Sequence, residues 1–287
     1  MKIGFIGLGI MGKPMCINIA KKHDDAVFCY DHHAENIAEV VSAGGIECKD
    51  EIEIAQKADI IITMVPKTEH SKAAYTKMIG ELKEGKICID MSTIDPAGSV
   101  EISKMVKATG AQFADAPVVK SKPAAIAGKL GIYVGCDEEL FDKIKPILAY
   151  MGENIIRMGG NGKGLVMKIC HNALVSQIQN GVNETSTLAA ANGIDILTYA
   201  QAISYGGAGN WYLDSKKDVL AKEDFTTAFS IENEHKDIGI CLKLADECGV
   251  YMPGEENAKR VYDDAIKAGY GKEDFSATVK VVKAQKK

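Results

Sequence analysis

The first half of the chain alternates short apolar runs with longer stretches in which apolar residues recur every three or four positions. Lys2–Ile6, Ala26–Tyr30, Ile60–Met64, Ile87–Asp90 and Gln112–Asp115 have the length and content of buried strands. Between them, Met11–Lys22, Ala34–Ala43, Glu69–Leu82 and Pro96–Thr109 carry helical spacing. Alternation of this kind predicts a parallel sheet with helices on both faces. Lys129–Val134 and Ile155–Met158 read as further strands around a helix at Glu138–Tyr150. After Gly159, Gly160, Gly162 and Gly164 no convincing strand recurs. Leu165–Asn192, with no proline and one glycine, predicts a single helix of roughly 40 Å at 1.5 Å per residue. Helices follow around Ile196–Ile203, Ala228–Cys248 and Glu255–Ala268. The expected architecture is an α/β domain over residues 1–162, then an all-α domain over 163–287 opened by the long connecting helix. The terminal KAQKK is expected to be a frayed, solvated end.

Composition narrows the function classes. The 287 residues suit two domains of ordinary size, and 46% hydrophobic content is enough for real cores. A net charge of −5 argues against nucleic-acid and membrane-surface partners, both of which favour basic patches. No apolar run reaches the roughly 18 residues of a membrane span. The opening MKIGFIGLGIMG is broken by glycines and reads as a motif, not an export signal. Eight scattered cysteines without metal-type spacing look like small apolar residues in a reducing cytoplasm. The histidines have no metal spacing either, so no metal is expected.

The strand KIGFI runs into Gly7-Leu-Gly9-Ile-Met-Gly12, which opens a helix. The first glycine permits the tight turn, the second admits a pyrophosphate, and the third lets helix and strand pack closely. The helix N-terminus supplies free N–H groups and a favourable dipole. This order of strand, glycines and helix marks a Rossmann-type dinucleotide-binding domain. Asp31, at the end of the second strand and 19 residues after Gly12, is placed to accept ribose hydroxyls. A 2′-phosphate would be repelled there and no arginine follows, so NAD is expected in preference to NADP. Asp31 as a helix N-cap is compatible with that role. Ligands of open parallel sheets gather beyond the carboxyl ends of strands, which brings in Met64-Val65 and Asp90–Thr93.

At this point the chain resembles the β-hydroxyacid dehydrogenase family, which includes 3-hydroxyisobutyrate dehydrogenases, tartronate semialdehyde reductases and sulfolactaldehyde reductases. The resemblance spans essentially the whole chain. It rests on GFIGLGIMGKPM at 4–15, DMSTIDP at 90–96, DAPV at 115–118 with Gly128 beyond, GxGxxxK ending at Lys168, and HKDIG at 235–239. It implies that Lys168 is the catalytic residue and that Asn172, one helical turn on, orients the substrate. It further implies that Ile10, Met11, Asp31, Val65, Thr93 and Lys236 touch the dinucleotide. A homodimer or homotetramer is expected, because a long helix with apolar residues on more than one face must bury its surplus.

The chemistry expected of Lys168 is proton transfer. Carbonyl reduction by hydride needs a proton for the nascent alkoxide, and alcohol oxidation needs that proton removed. An ammonium can stabilise the alkoxide and hand over the proton. In VMKICHNALV, apolar neighbours surround Lys168, and Asn172 at i+4 shares its face. Two departures bear on the substrate. Many members carry Ser-Gly-Gly after DAPV, where this chain has Val119, Lys120 and Ser121. The arrangement looks closer to sulfolactaldehyde-reducing members, so Lys120 and Ser121 are expected to meet an anionic end group, sulfonate or carboxylate. His171 stands where members often have a first asparagine, and is either a second substrate donor or a packed helix residue. Trp211 is expected to anchor the helical core ahead of reaching a pocket. The function expected is NAD(H)-dependent interconversion of a small 3-hydroxy acid and its semialdehyde. The alternatives are an imine reductase on the same architecture and an inactive NAD-binding module.

Overall fold

The computed structural model describes residues 1–284; the last residues of KAQKK, from Gln285, lie outside the described residues, and with them that expectation. The chain divides into two compact units, Met1–Lys168 and Ile169 onward. In the first, β1 (Ile3–Ile6), α1 (Gly12–Lys22), β2 (Val27–Tyr30), α2 (Ala34–Ser42), β3 (Ile46–Glu47), α3 (Glu51–Lys57), β4 (Ile60–Thr63) and α4 (Thr68–Met78) alternate. They are followed by β5 (Ile87–Asp90), α5 (Pro96–Lys107), β6 (Gln112–Asp115), β7 (Val118–Val119), α6 (Lys122–Ala127), β8 (Leu130–Gly135), α7 (Glu138–Leu148) and β9 (Gly152–Gly159). Among the described residues the nine strands form one sheet, ordered β3-β2-β1-β4-β5-β6-β8-β7, with β9 on β8.

From β3 to β6 every neighbour is parallel, and β8 then runs antiparallel to β6 and β7. The order reverses at β1, which has β2 on one side and β4 on the other, so a crevice opens beyond the carboxyl ends of these strands. Strand alternation sends successive side chains to opposite layers. Phe5, Cys29, Ile62 and Ile89 pack with Met15 and Ile19 of α1. Ile6, Phe28, Ile61 and Cys88 pack with Ile54, Tyr75 and Ile102 from α3, α4 and α5. Both faces are covered, so the strands read as unbroken apolar runs.

The long helix α8 (Lys163–Ala191) has 29 residues, about 44 Å at 1.5 Å per residue. The division between units falls within it, past Gly162, because its first turn is bonded to the sheet domain through Asp115. After it come α9 (Ile196–Ile203), α10 (Trp211–Lys222), α11 (Ile231–Cys248), α12 (Pro253–Lys267) and α13 (Val279–Ala284). Their core gathers Tyr212, Leu213, Ile238, Tyr262 and Phe275. Along α8 runs a buried polar stripe bonded within this second unit: Gln179 donates to Phe275 O and Thr278 Oγ1 and accepts from the Tyr262 hydroxyl, and Asn183 donates to Thr278 Oγ1.

Candidate active site

β1 runs into a turn that only glycine accommodates at Gly7, whose φ is +94° and whose Cβ would stand 2.3 Å from Met64 O. At Gly12 a Cβ would stand 2.0 Å from Gly7 O, so its absence lets α1 begin against the turn. At Gly9 a Cβ would meet nothing within 4 Å: this side of the loop is open. No side chain caps α1 and no acidic residue sits in its first turn, which leaves the helix end suited to an anion. Beside the turn is a cleft of about 370 Å³ lined by Gly7, Gly9, Asp31, Met64 and Val65, among others. Asp31 accepts Leu8 N–H at 2.5 Å through Oδ2, and His33 N–H at 2.8 Å and Asn36 Nδ2 at 3.3 Å through Oδ1. The carboxylate is thereby fixed at the rim of the glycine turn, with further lone pairs for ribose hydroxyls.

Ile10 is exposed and Met11 half-buried in the turn beside that cleft. The two neighbouring strand ends are pinned: Val65 N–H donates to Ser92 Oγ at 2.9 Å, while Ser92 N–H and Ser71 Oγ donate to Asp90. Burial raises the Asp90 acid above its ordinary value, against those donors. Thr93 follows directly on this pinned segment. Open loop, uncapped helix and fixed carboxylate together fit a dinucleotide.

Asp115, fully buried at the end of β6, accepts Gly162 N–H at 2.6 Å and Leu165 N–H at 2.9 Å. Room for it exists because Gly135 and Gly164 lack side chains; a Cβ on either would stand 2.3 or 2.8 Å from its oxygens. Burial pushes its pKa up to about 6, and the two N–H groups hold it back from rising further. Asp115 thus anchors the first turn of α8, and Lys168, one turn on, is only 8% exposed.

Lys120 is paired within its own unit. Its φ of +76° is the left-handed backbone that suits glycine, which accounts for the glycine in other members. Its ammonium lies 3.0 Å from Glu153 Oε1 and donates to Lys129 O at 2.8 Å. The cation therefore has a counter-charge within the protein. Ser121 is the N-cap residue of α6, and its carbonyl accepts Ala124 N–H and Ala125 N–H.

In the second unit, Asn172 is 6% exposed and donates through Nδ2 to Asp237 Oδ2 at 2.7 Å. The other oxygen of Asp237 lies 3.0 Å from Lys236 Nζ. One buried carboxylate therefore ties together two expected site residues. His171 is half-buried on the same helix. Ser176 Oγ, one turn beyond Asn172, donates to Glu255 at 2.8 Å, as does Gln177 Nε2 at 3.2 Å. Trp211 is 71% exposed, so it does not anchor the helical core; the neighbouring Tyr212 and Leu213 do, since α10 turns their face inward.

Two family models match the chain. That of the NAD-binding domain of 6-phosphogluconate dehydrogenase matches residues 2–160, and that described as NAD-binding of NADP-dependent 3-hydroxyisobutyrate dehydrogenase matches residues 162–282. The chain is 32% identical to 2-(hydroxymethyl)glutarate dehydrogenase of Eubacterium barkeri over 98% of its length and 94% of the relative's. It is 31% identical to 2-hydroxy-3-oxopropionate reductase of Escherichia coli K12 over 98% and 97%. The solved Mycobacterium tuberculosis 3-hydroxyisobutyrate dehydrogenase with L-serine superposes at a TM-score of 0.91, with 27% identity and 99% of each chain covered. The chain belongs to the β-hydroxyacid dehydrogenase family.

As a β-hydroxyacid dehydrogenase it is an NAD-dependent oxidoreductase acting on CH–OH groups. No helix of the described residues is long and apolar enough to cross a membrane. Two groups near its expected site residues escaped the sequence reading. Asp237 lies inside the HKDIG segment, but nothing in sequence spacing reveals that it bonds Asn172, 65 residues away. Glu51 lines the cleft beside the glycine turn from α3, a helix the periodicity concealed.

Proposed function

We propose that this β-hydroxyacid dehydrogenase interconverts a small 3-hydroxy acid bearing a carboxylate with its semialdehyde, and that Lys168 is the general acid and base. The observation that carries the proposal is the burial of Lys168 on a helix whose first turn is anchored by Asp115, with Asn172 at i+4. Bound NADH supplies the hydride. In reduction, Lys168 holds a proton beside the carbonyl oxygen and gives it up as that oxygen becomes an alkoxide; in oxidation it takes the proton back. Asn172, held by Asp237, would orient the substrate, and Lys236 shares the same carboxylate. His171 stands next to Asn172 as a further polar group for substrate.

The acid end is read as carboxylate because Lys120, the feature that favoured sulfonate, is engaged by Glu153. Relatives named for 2-(hydroxymethyl)glutarate and 2-hydroxy-3-oxopropionate agree with a small carboxylic acid. Exposed Leu174 and Leu188 on α8 support a homodimer or homotetramer. The test is NADH oxidation with tartronate, methylmalonate and succinate semialdehydes beside sulfolactaldehyde and a cyclic imine. A carboxylate semialdehyde should be reduced fastest. If sulfolactaldehyde leads, the carboxylate assignment falls; if only the imine is reduced, the hydroxyacid chemistry falls with it.

A further inference from the structure

The cleft has lining residues that the glycine motif does not account for. They are His32 after β2, Ala73, Ala74 and Lys77 of α4, and Glu51 of α3. Were the ribose held by Asp31, its base would need to be met by these remaining lining residues. Ala73 and Ala74 add small apolar residues to the lining, against which a purine face can pack. Glu51 is the unexpected member. Its side chain is almost wholly buried, and the same oxygen lies 3.1 Å from Lys77 Nζ and 3.7 Å from His32 Nε2. Burying an acid is costly unless donors meet it. Lys77 is half-exposed, and this pair alone is of the kind worth little to stability.

We infer that Glu51 is an adenine-recognition residue, accepting a hydrogen bond from the exocyclic amine of the cofactor's base and so selecting an amino purine over an oxo purine. The inference rests on the assignment of this cleft to NAD. Adenine presents an N–H donor at its C6 substituent, which suits a carboxylate oxygen. Hypoxanthine presents a carbonyl oxygen at the same point, which sets acceptor against acceptor. A site built to pair with an N–H rejects the analogue that lacks it, because the buried partner is then left unpaired. The glycine turn and Asp31 read only phosphate and ribose, so they cannot make this distinction.

The experiment is direct binding, by fluorescence titration, of NADH and of reduced nicotinamide hypoxanthine dinucleotide. It compares the unmodified protein, Glu51→Gln and Lys77→Met, each checked for native circular dichroism. The unmodified protein should bind NADH at least about tenfold more tightly than the hypoxanthine analogue. Glu51→Gln, whose amide can donate to the carbonyl oxygen, should reduce that preference below about threefold. Lys77→Met, which removes the ion pair but keeps the carboxylate, should retain it. Equal binding of the two dinucleotides by the unmodified protein would overturn the inference, as would a preference that survives Glu51→Gln or disappears in Lys77→Met. Failure to bind either dinucleotide would instead overturn the cofactor assignment on which it rests.

Discussion

Asp115→Ala takes away the two bonds that hold the start of α8, and its consequences can be worked out from the structure. Gly162 N–H and Leu165 N–H would be left buried without their acceptor, at about 1–3 kcal/mol each. Against this, the ionised carboxylate is itself costly where it sits. Its pKa is pushed from the ordinary 3.8 up to about 6, a shift of roughly 2 units and so about 3 kcal/mol. At neutral pH the losses and the relief partly cancel, and Asp115→Ala should destabilise by about 2 kcal/mol. The sign of the pH dependence follows from the raised pKa. The folded protein binds this proton more tightly, so Asp115 contributes most stability below the unfolded value, and that contribution fades as pH rises from about 4 to about 6. The gap between the two proteins should therefore widen on acidification, toward about 5 kcal/mol near pH 4. Urea denaturation followed by circular dichroism between pH 4 and 8 measures it. Because the anchored turn precedes Lys168, turnover at pH 7.5 should also fall about tenfold or more. A gap that stays constant with pH, or an Ala variant as stable and active as its parent, would refute the anchoring role.

Lys120→Gly should leave kcat and KM unchanged on every aldehyde tested, since its ammonium is committed to Glu153. Relief of about 1 kcal/mol of left-handed strain should offset the lost surface ion pair, so the melting temperature should hold or rise slightly. A marked rise in KM for one anion would restore Lys120 to the substrate pocket. Glu255 is pushed up to about 7 by burial, against its bonds from Ser176 and Gln177. Its stabilising contribution is present below about pH 4.5 and is lost as pH rises toward 7. Melting curves of Glu255→Gln should accordingly fall less steeply across pH 5–8 than those of the unmodified protein, and parallel curves would count against this. Asp31→Ser should narrow the preference for NADH over NADPH, measured as the ratio of kcat/KM, because the carboxylate that repels a 2′-phosphate is gone. An unmodified protein that already prefers NADPH would remove the premise.

The parallel sheet was legible because both its faces are buried, so its strands are unbroken apolar runs that helix spacing separates cleanly. The segment from Gly44 to Asp59 was not. In Glu51-Ile-Glu-Ile54 the alternation has a strand's period, yet Ile54 is buried and Ile52 exposed on a helix of only 7 residues. The signal that could have revealed it is the cap: Asp50 accepts Glu53 N–H while Glu53 accepts Lys49 N–H, a variant of the capping box. With that helix went Glu51. The pairing of Lys120 was illegible for a different reason, since charge is visible in sequence but φ and Glu153 are not. The partnership of Asn172, Asp237 and Lys236 joins α8 to α11 and depends on tertiary packing that no local pattern encodes.

Lys168 is proposed to move the proton while the glycine turn and Asp31 hold the dinucleotide. Lys168→Ala separates these roles in one experiment, when kcat with the best semialdehyde is measured beside the Kd for NADH. Loss of a positioned proton donor should lower kcat at least about a hundredfold, with the Kd for NADH changed less than about threefold. Near-normal turnover, or loss of NADH binding in parallel with activity, would contradict the account.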